Sequence, residues 1–256
     1  WLGFTTPSAA ALILFAYGVA TFDIADAGWL HGLKVVAVAV VAYAVWGMAR
    51  NLCPDRPRAT LAILATIAML AAPNTIAQIA IIVAGGLSGW LLLKNDQTSP
   101  VLGHLSSVGR VFAVASLAIL AALLVGLPLL NQAVSYEALD VFDSFFRVGS
   151  LVFGGGHVVL PLLQAEVVPP GWVTNDAFIA GYGASQAVPG PLFTFSAYLG
   201  ETMQLWPIPS LGGMFTLTAI FLPSFLLVAG ALPFWDRLRA VANFRRALMG
   251  INAAVV

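Results

Sequence analysis

His157 follows three consecutive glycines, Gly154, Gly155 and Gly156, and precedes Pro161 in the apolar run FGGGHVVLPLL. A second group follows in GYGASQAVPGPLFTFSAYLG, where Gln186, Pro189, Gly190, Pro191 and Thr194 fall close together. Glycine accepts left-handed or extended backbone, and proline suits the first turn of a new helix, where its missing N–H is not needed. Both groups therefore read as interrupted helices, each leaving a half-helix N-terminus, one near His157 and one near Pro191. Free N–H groups and the positive end of the helix dipole make such termini anion sites, and glycine-rich backbone nests strengthen the preference. Gln164, Ser185, Gln186 and Thr194 add hydrogen-bond donors, and His157 can donate in either protonation state or carry a coupled proton.

Plainer uses stand beside these. Glycines also serve close helix packing, and a polar side chain in a membrane often just bonds a neighbouring helix. Non-helical backbone at membrane depth, however, is tolerated only where protein or a water-filled cavity surrounds it, and ionisable groups there are costly. The candidate anion ligands are Gly154, Gly155, Gly156, His157, Gln186, Gly190 and Thr194, with Pro161, Pro189 and Pro191 as helix breaks. Arg147, three helical turns before His157, reads as a snorkelling side chain or an anion attractor. With Gln164 and Glu166 it forms a group suited to anion access or coupling. Glu166 and Glu201 read as proton carriers or as interface residues.

The elements holding these residues are set by composition. The 256 residues are 60% hydrophobic and 9% charged, with mean hydropathy +0.94, whereas soluble domains carry about a quarter charged residues. Apolar segments long enough to cross about 30 Å of hydrocarbon recur along the chain, which predicts an all-α, polytopic transmembrane bundle. No period-two alternation suggests a β-barrel. Cys53 is the sole cysteine, so no intrachain disulfide and no cysteine metal cluster can form. Nothing calls for a cofactor or a metal, and no basic or aromatic-interleaved patch suits nucleic acid.

Candidate spans fall at about 7–24, 30–49, 59–72, 75–93, 109–130, a broken region at 145–205, 208–232, and one beginning near 244. Residues 59–93 read as a tight hairpin around Pro73-Asn74, and KNDQTSPVLGH as a linker. The arginines of RNLCPDRPR and WDRLRAVANFRR place both stretches on the cytoplasmic side, and Asp23, Asp26, Glu137, Asp140 and Asp143 lie outside. This path takes three crossings between the last acidic stretch and the last basic one. FTTPSAA followed by GLKVVAV also echoes FLPSFLL followed by GINAAVV, with Pro-Ser at a helix start. The loop joining the first pair is acidic and that joining the second is basic, which predicts two inverted-topology repeats. Residues 1–94 are then the later part of a first repeat, 95–108 a linker, and 109–256 a second repeat truncated at its C-terminal end. Both ends read as cut, with an N-terminal part of the same polypeptide expected ahead of Trp1.

FRVGSLVFGGGHVVLPLLQAEVV and GWVTNDAFIAGYGASQAVPGPLFTFSAYLG closely resemble the C-terminal half of the chromate ion transporter (CHR) family, and WLGFTTPSAA with GWLHGLKVVAVAVVA is similar to later parts of its N-terminal half. The resemblance implies a bacterial inner-membrane protein, not an enzyme, exporting chromate with proton coupling through two opposed halves. It carries Gly154, Gly155, Gly156, His157 and Pro161 onto one signature, and Gln186, Pro189, Gly190, Pro191 and Thr194 onto the other. Expected partners are chromate or a similar oxyanion, protons and the lipid bilayer, and the sequence leaves a homodimer open. Sulfate has nearly the same shape and charge, so a broader oxyanion permease stays open beside a passive anion channel. An intramembrane hydrolase is disfavoured, because neither GxSxG nor HExxH occurs.

Overall fold

The computed structural model describes residues 1–22, 28–72, 75–94, 109–134, 136–152, 159–206 and 209–256. They form α1 (Leu2–Phe22), α2 (Gly28–Leu52), α3 (Arg56–Ala71), α4 (Thr75–Leu92), α5 (Arg110–Ala133), α6 (Glu137–Leu151), α7 (Val159–Val167), α8 (Asn175–Ala187), a 3-10 turn (Leu192–Thr194) running into α9 (Phe195–Thr202), α10 (Pro209–Ala240) and α11 (Ala242–Ala254). The protein is all-α, as its composition predicts. Among the described residues, Leu2–Thr21, Arg110–Ala133 and Ser210–Trp235 are long and apolar enough to cross a membrane, and Val38–Leu52 and Ala77–Leu92 are shorter apolar helices. It is a multi-pass membrane protein.

Several boundaries differ from the sequence reading for identifiable reasons. Pro7 lies inside α1 and Pro223 inside α10, so the Pro-Ser pairs do not mark helix starts. Proline is tolerated within membrane helices because neighbouring groups satisfy the backbone it frees. Glu137 and Asp140 form the first turn of α6, where they meet the positive end of its dipole, rather than a loop. α10 continues to Ala240, so Arg237 and Arg239 sit on its last turns, and Arg245 and Arg246 sit on α11. The expected linker and the Pro73-Asn74 turn fall outside the described residues, but α3 and α4 pack together as a hairpin would.

The helices pack as two compact units, residues 1–42 with 119–225 and residues 43–118 with 226–256. In the second unit α11 lies against α4 and α3. Gly89 and Gly250 make the α4–α11 approach possible: a Cβ on Gly89 would stand 2.7 Å from the Gly250 Cα. Without a hydrophobic force between helices in lipid, close backbone packing of this kind is what holds them.

The first unit is built on two helical hairpins. α7 folds back along α6, so that Glu166 meets Arg147. α9 folds back along α8, where the Tyr198 hydroxyl donates to the Ala177 carbonyl at 2.9 Å and Phe195 stands edge-on to Phe178. α9 runs antiparallel to α10, tied by the Thr216 hydroxyl donating to the Ser196 carbonyl at 2.8 Å. α6 runs parallel to α10, with Phe142 beside Phe215 and Gly149 against the Ile220 backbone. Phe145, Phe146, Leu163, Phe195, Tyr198 and Ile220 fill the core between them.

These pairings fix the level of each chain end. The open ends of both hairpins gather near the start of α10, while Gly149, near the end of α6, and Phe193, beyond α8, reach the level of Ile220 and Phe221, close to the centre of the 26-residue span Ser210–Trp235. Phe193, at the tip of the second hairpin, packs on Phe221 with ring centroids 5.3 Å apart. At about 1.5 Å per residue, nine-residue α7 and eight-residue α9 each cover less than half of a hydrocarbon core of about 30 Å. Neither crosses alone. The hairpins thus leave one crossing, α10, where the sequence reading takes three.

Candidate functional site

Local sequence explains each tip. Thr174 caps α8, its Oγ1 accepting from the Ala177 amide at 3.2 Å. α8 ends at Ala187 because Val188, held extended (φ −100, ψ 125), precedes a proline. Pro189, Gly190 and Pro191 then turn the chain, and Pro191 opens the 3-10 turn with no side-chain cap, so the first N–H groups of that turn are the ones helix geometry leaves unpaired. In the other hairpin Pro161 is the third residue of α7, in its first turn, as the sequence predicts. Gly154, Gly155, Gly156 and His157 lie outside the described residues.

The Pro-Gly-Pro tip is held by α1. The Ser8 hydroxyl donates to the Pro189 carbonyl at 2.6 Å, and a Cβ on Gly190 would collide with the Ser8 side chain. Gly190 is therefore required by close approach. Thr5, one turn before Ser8, is buried with its hydroxyl unpartnered among the described residues. So are the Gln186 Nε2 and the Tyr182 hydroxyl, which lie four residues apart on α8. A buried donor without a partner costs about 1–3 kcal/mol, and such cost concentrates where a ligand can supply the missing acceptor.

The other expected donors are engaged. Thr194 donates to the Pro191 carbonyl and Ser185 to the Tyr182 carbonyl, each at 2.7 Å. Their hydroxyl protons are spent within their own helical turns. Gln164 lies at the open end of the hairpins, its Nε2 donating to the Asn175 Oδ1 at 2.7 Å. Arg147 is held by ion pairs rather than by snorkelling: it reaches Glu166 at 2.7 Å and Asp143 at 3.2 Å, and Ser144 donates to the same Glu166 oxygen at 2.9 Å. This cluster joins α6 to α7 near the open end of the hairpin.

Sequence reasoning missed Ser8 as a tip residue, the unpartnered hydroxyls of Thr5 and Tyr182, and Asp143 and Ser144 as partners of Arg147. The available signal was polar residues spaced by three on an apolar helix, Thr5 and Ser8, which marks a face turned toward protein rather than lipid.

The model of the chromate transporter family matches residues 1–90 and 139–256. The chain belongs to the chromate transporter family. The family is one of transporters, which speaks against an enzyme. The whole chain aligns with a chromate transport protein of Pseudomonas aeruginosa at 32% identity and covers 60% of that protein's length. An uncharacterized transporter of Bacillus subtilis, YwrA, is 35% identical over 39% of the chain and 54% of its own length. A chromate transport protein of Cupriavidus metallidurans is 25% identical over 50% of the chain and 29% of its length. This family member thus spans between 29% and 60% of the length of these relatives. No solved structure matches it.

Proposed function

We propose that the protein is a secondary transporter that exports chromate across the bacterial cytoplasmic membrane, coupled to protons, and so confers chromate resistance. The observation that carries this reading is that two half-length helical hairpins each pack on α10 near the centre of its span, through Gly149 on Ile220 and Phe193 on Phe221. Backbone amides at the two tips, His157 and the Gln186 amide together suit a tetrahedral dianion. The name of the P. aeruginosa relative supplies the substrate.

Two features support the inverted-repeat plan of 1–94, a linker at 95–108, and 109–256. The family match falls into two stretches on either side of residues 91–138. α1 and α10, which carry the echoing Pro-Ser pairs, run antiparallel: Trp1 stands edge-on to Phe221 and Phe225, and Ile13 faces Gly213. The partners are chromate, protons, lipid and the remainder of a two-half transporter.

Uptake of labelled chromate into inverted vesicles, with and without an imposed pH gradient, tests the proposal. Gradient-driven accumulation is expected, and sulfate should compete because amide donors fit either anion. Flux that ignores the gradient would reduce the protein to a passive channel, and no flux would remove chromate as substrate.

A further inference from the structure

A cavity of about 330 Å³ opens beside α9, lined by Tyr17 and Thr21 of α1, Ala177 of α8, and Tyr198 and Gln204. Glu201 forms part of its wall. The residue is only 6% exposed, and its Oε2 has no hydrogen-bond partner among the described residues. The titratable groups on α1, α8 and α9 are Tyr17 on α1, Asp176 and Tyr182 on α8, and Tyr198 on α9, whose hydroxyl is already given to the Ala177 carbonyl. No lysine, arginine or histidine is among the lining residues.

We infer that Glu201 is the carboxyl that binds the coupled proton, and that this cavity is its route to water; the inference rests on the transport reading above. An ionised carboxylate buried without a cation or a donor is costly, whereas the protonated form is not. Glu166 differs, since Arg147 and Ser144 both bond its carboxylate and favour the charged state. Asp143 also faces Arg147. The position of Glu201 supplies the coupling. α9 carries it at one end and begins at the Pro-Gly-Pro tip at the other, and α1 lines the cavity while its Ser8 holds the same tip. Charging Glu201 draws water between α1 and α9, and neutralising it lets them close, so the proton acts on both elements that position the anion.

The test uses the full-length protein in proteoliposomes, with two readouts: labelled chromate exchange at equal concentrations without a gradient, and accumulation under a pH gradient. Wild type should accumulate chromate about tenfold per pH unit for each coupled proton. E201Q should keep exchange and lose its pH dependence, and should abolish accumulation; E201D should retain accumulation. E201Q that accumulates like wild type, or that loses exchange and accumulation together, would overturn the assignment. Absence of exchange in wild type would instead defeat the transport reading itself.

Discussion

The Ser8 hydroxyl bonds the Pro189 carbonyl across 2.6 Å, joining the first helix of the chain to the turn between α8 and α9. A carbonyl in a proline-broken turn has no helical partner, and at membrane depth no water replaces it. Ser8→Ala should therefore lower stability by about 1–3 kcal/mol and reduce chromate flux. Thermal unfolding in detergent and vesicle uptake read the two effects.

Gly190→Ala should be more damaging than Ser8→Ala, because the new methyl collides with Ser8 and must push α1 from the tip. Removing the Ser8 side chain leaves the Phe4 carbonyl, 3.6 Å away, as the next neighbour. Ser8→Gly combined with Gly190→Ala should thus be more stable than Gly190→Ala alone. Equal stability of the single and double variants would show that the collision is relieved some other way.

The Arg147 cluster should behave as a latch of modest strength. Arg147 keeps 33% of its side-chain surface and Glu166 21%, so solvent screens the pair and a double-mutant cycle should return about 1 kcal/mol or less. Arg147→Met should cost more than Glu166→Gln, since it leaves two carboxylates facing each other near the open end of the hairpin. A larger loss from Glu166→Gln would contradict this geometry.

Much of this architecture is legible in residue types. Gly-Gly-Gly with Pro161, and Pro189-Gly190-Pro191, announce two interruptions, and the structure turns the chain between α6 and α7 and between α8 and α9. What sequence leaves open is where each half-helix goes next. A half-helix that crosses and one that folds back have the same composition; the Tyr198–Ala177 bond and the Arg147–Glu166 pair decide for folding back. The candidate donors were only partly legible for a similar reason. Thr194 and Gln186 look alike as polar residues beside prolines, but a hydroxyl in a helical turn can bond its own backbone and a longer amide cannot do so as readily. Ser8 contacts the tip from 181 positions away, a distance no local pattern reports.

The α4–α11 crossing should fail on one added side chain. Gly89→Val places branched carbon against the Arg246 carbonyl and the Gly250 backbone, and Gly250→Val meets the Gly85 carbonyl. Either should reduce thermal stability by about 1–3 kcal/mol or more. Gly18→Ala, where a Cβ meets nothing within 4 Å, is the matched control and should leave stability unchanged.

Asp55 provides a pH-dependent reading outside the spans. Its side chain accepts from the Arg58 guanidinium at 2.6 Å and from the Arg58 amide at 3.0 Å, capping α3. These bonds hold its carboxyl below the ordinary carboxylate range. The folded value is thus depressed, so the cap contributes fully above about pH 4 and is lost as pH falls through the lower folded value. Asp55→Ala should cost about 1 kcal/mol near neutrality, and wild type and variant should converge on acidification.

The central claim is that the two hairpin tips hold an oxyanion, and equilibrium binding of labelled chromate to the purified full-length protein tests it most directly. Saturable binding is expected, with sulfate competing, and Gln186→Leu should weaken it about tenfold through loss of one buried donor to a charged ligand. No saturable binding, or affinity unchanged in both Gln186→Leu and Gly190→Ala, would contradict it.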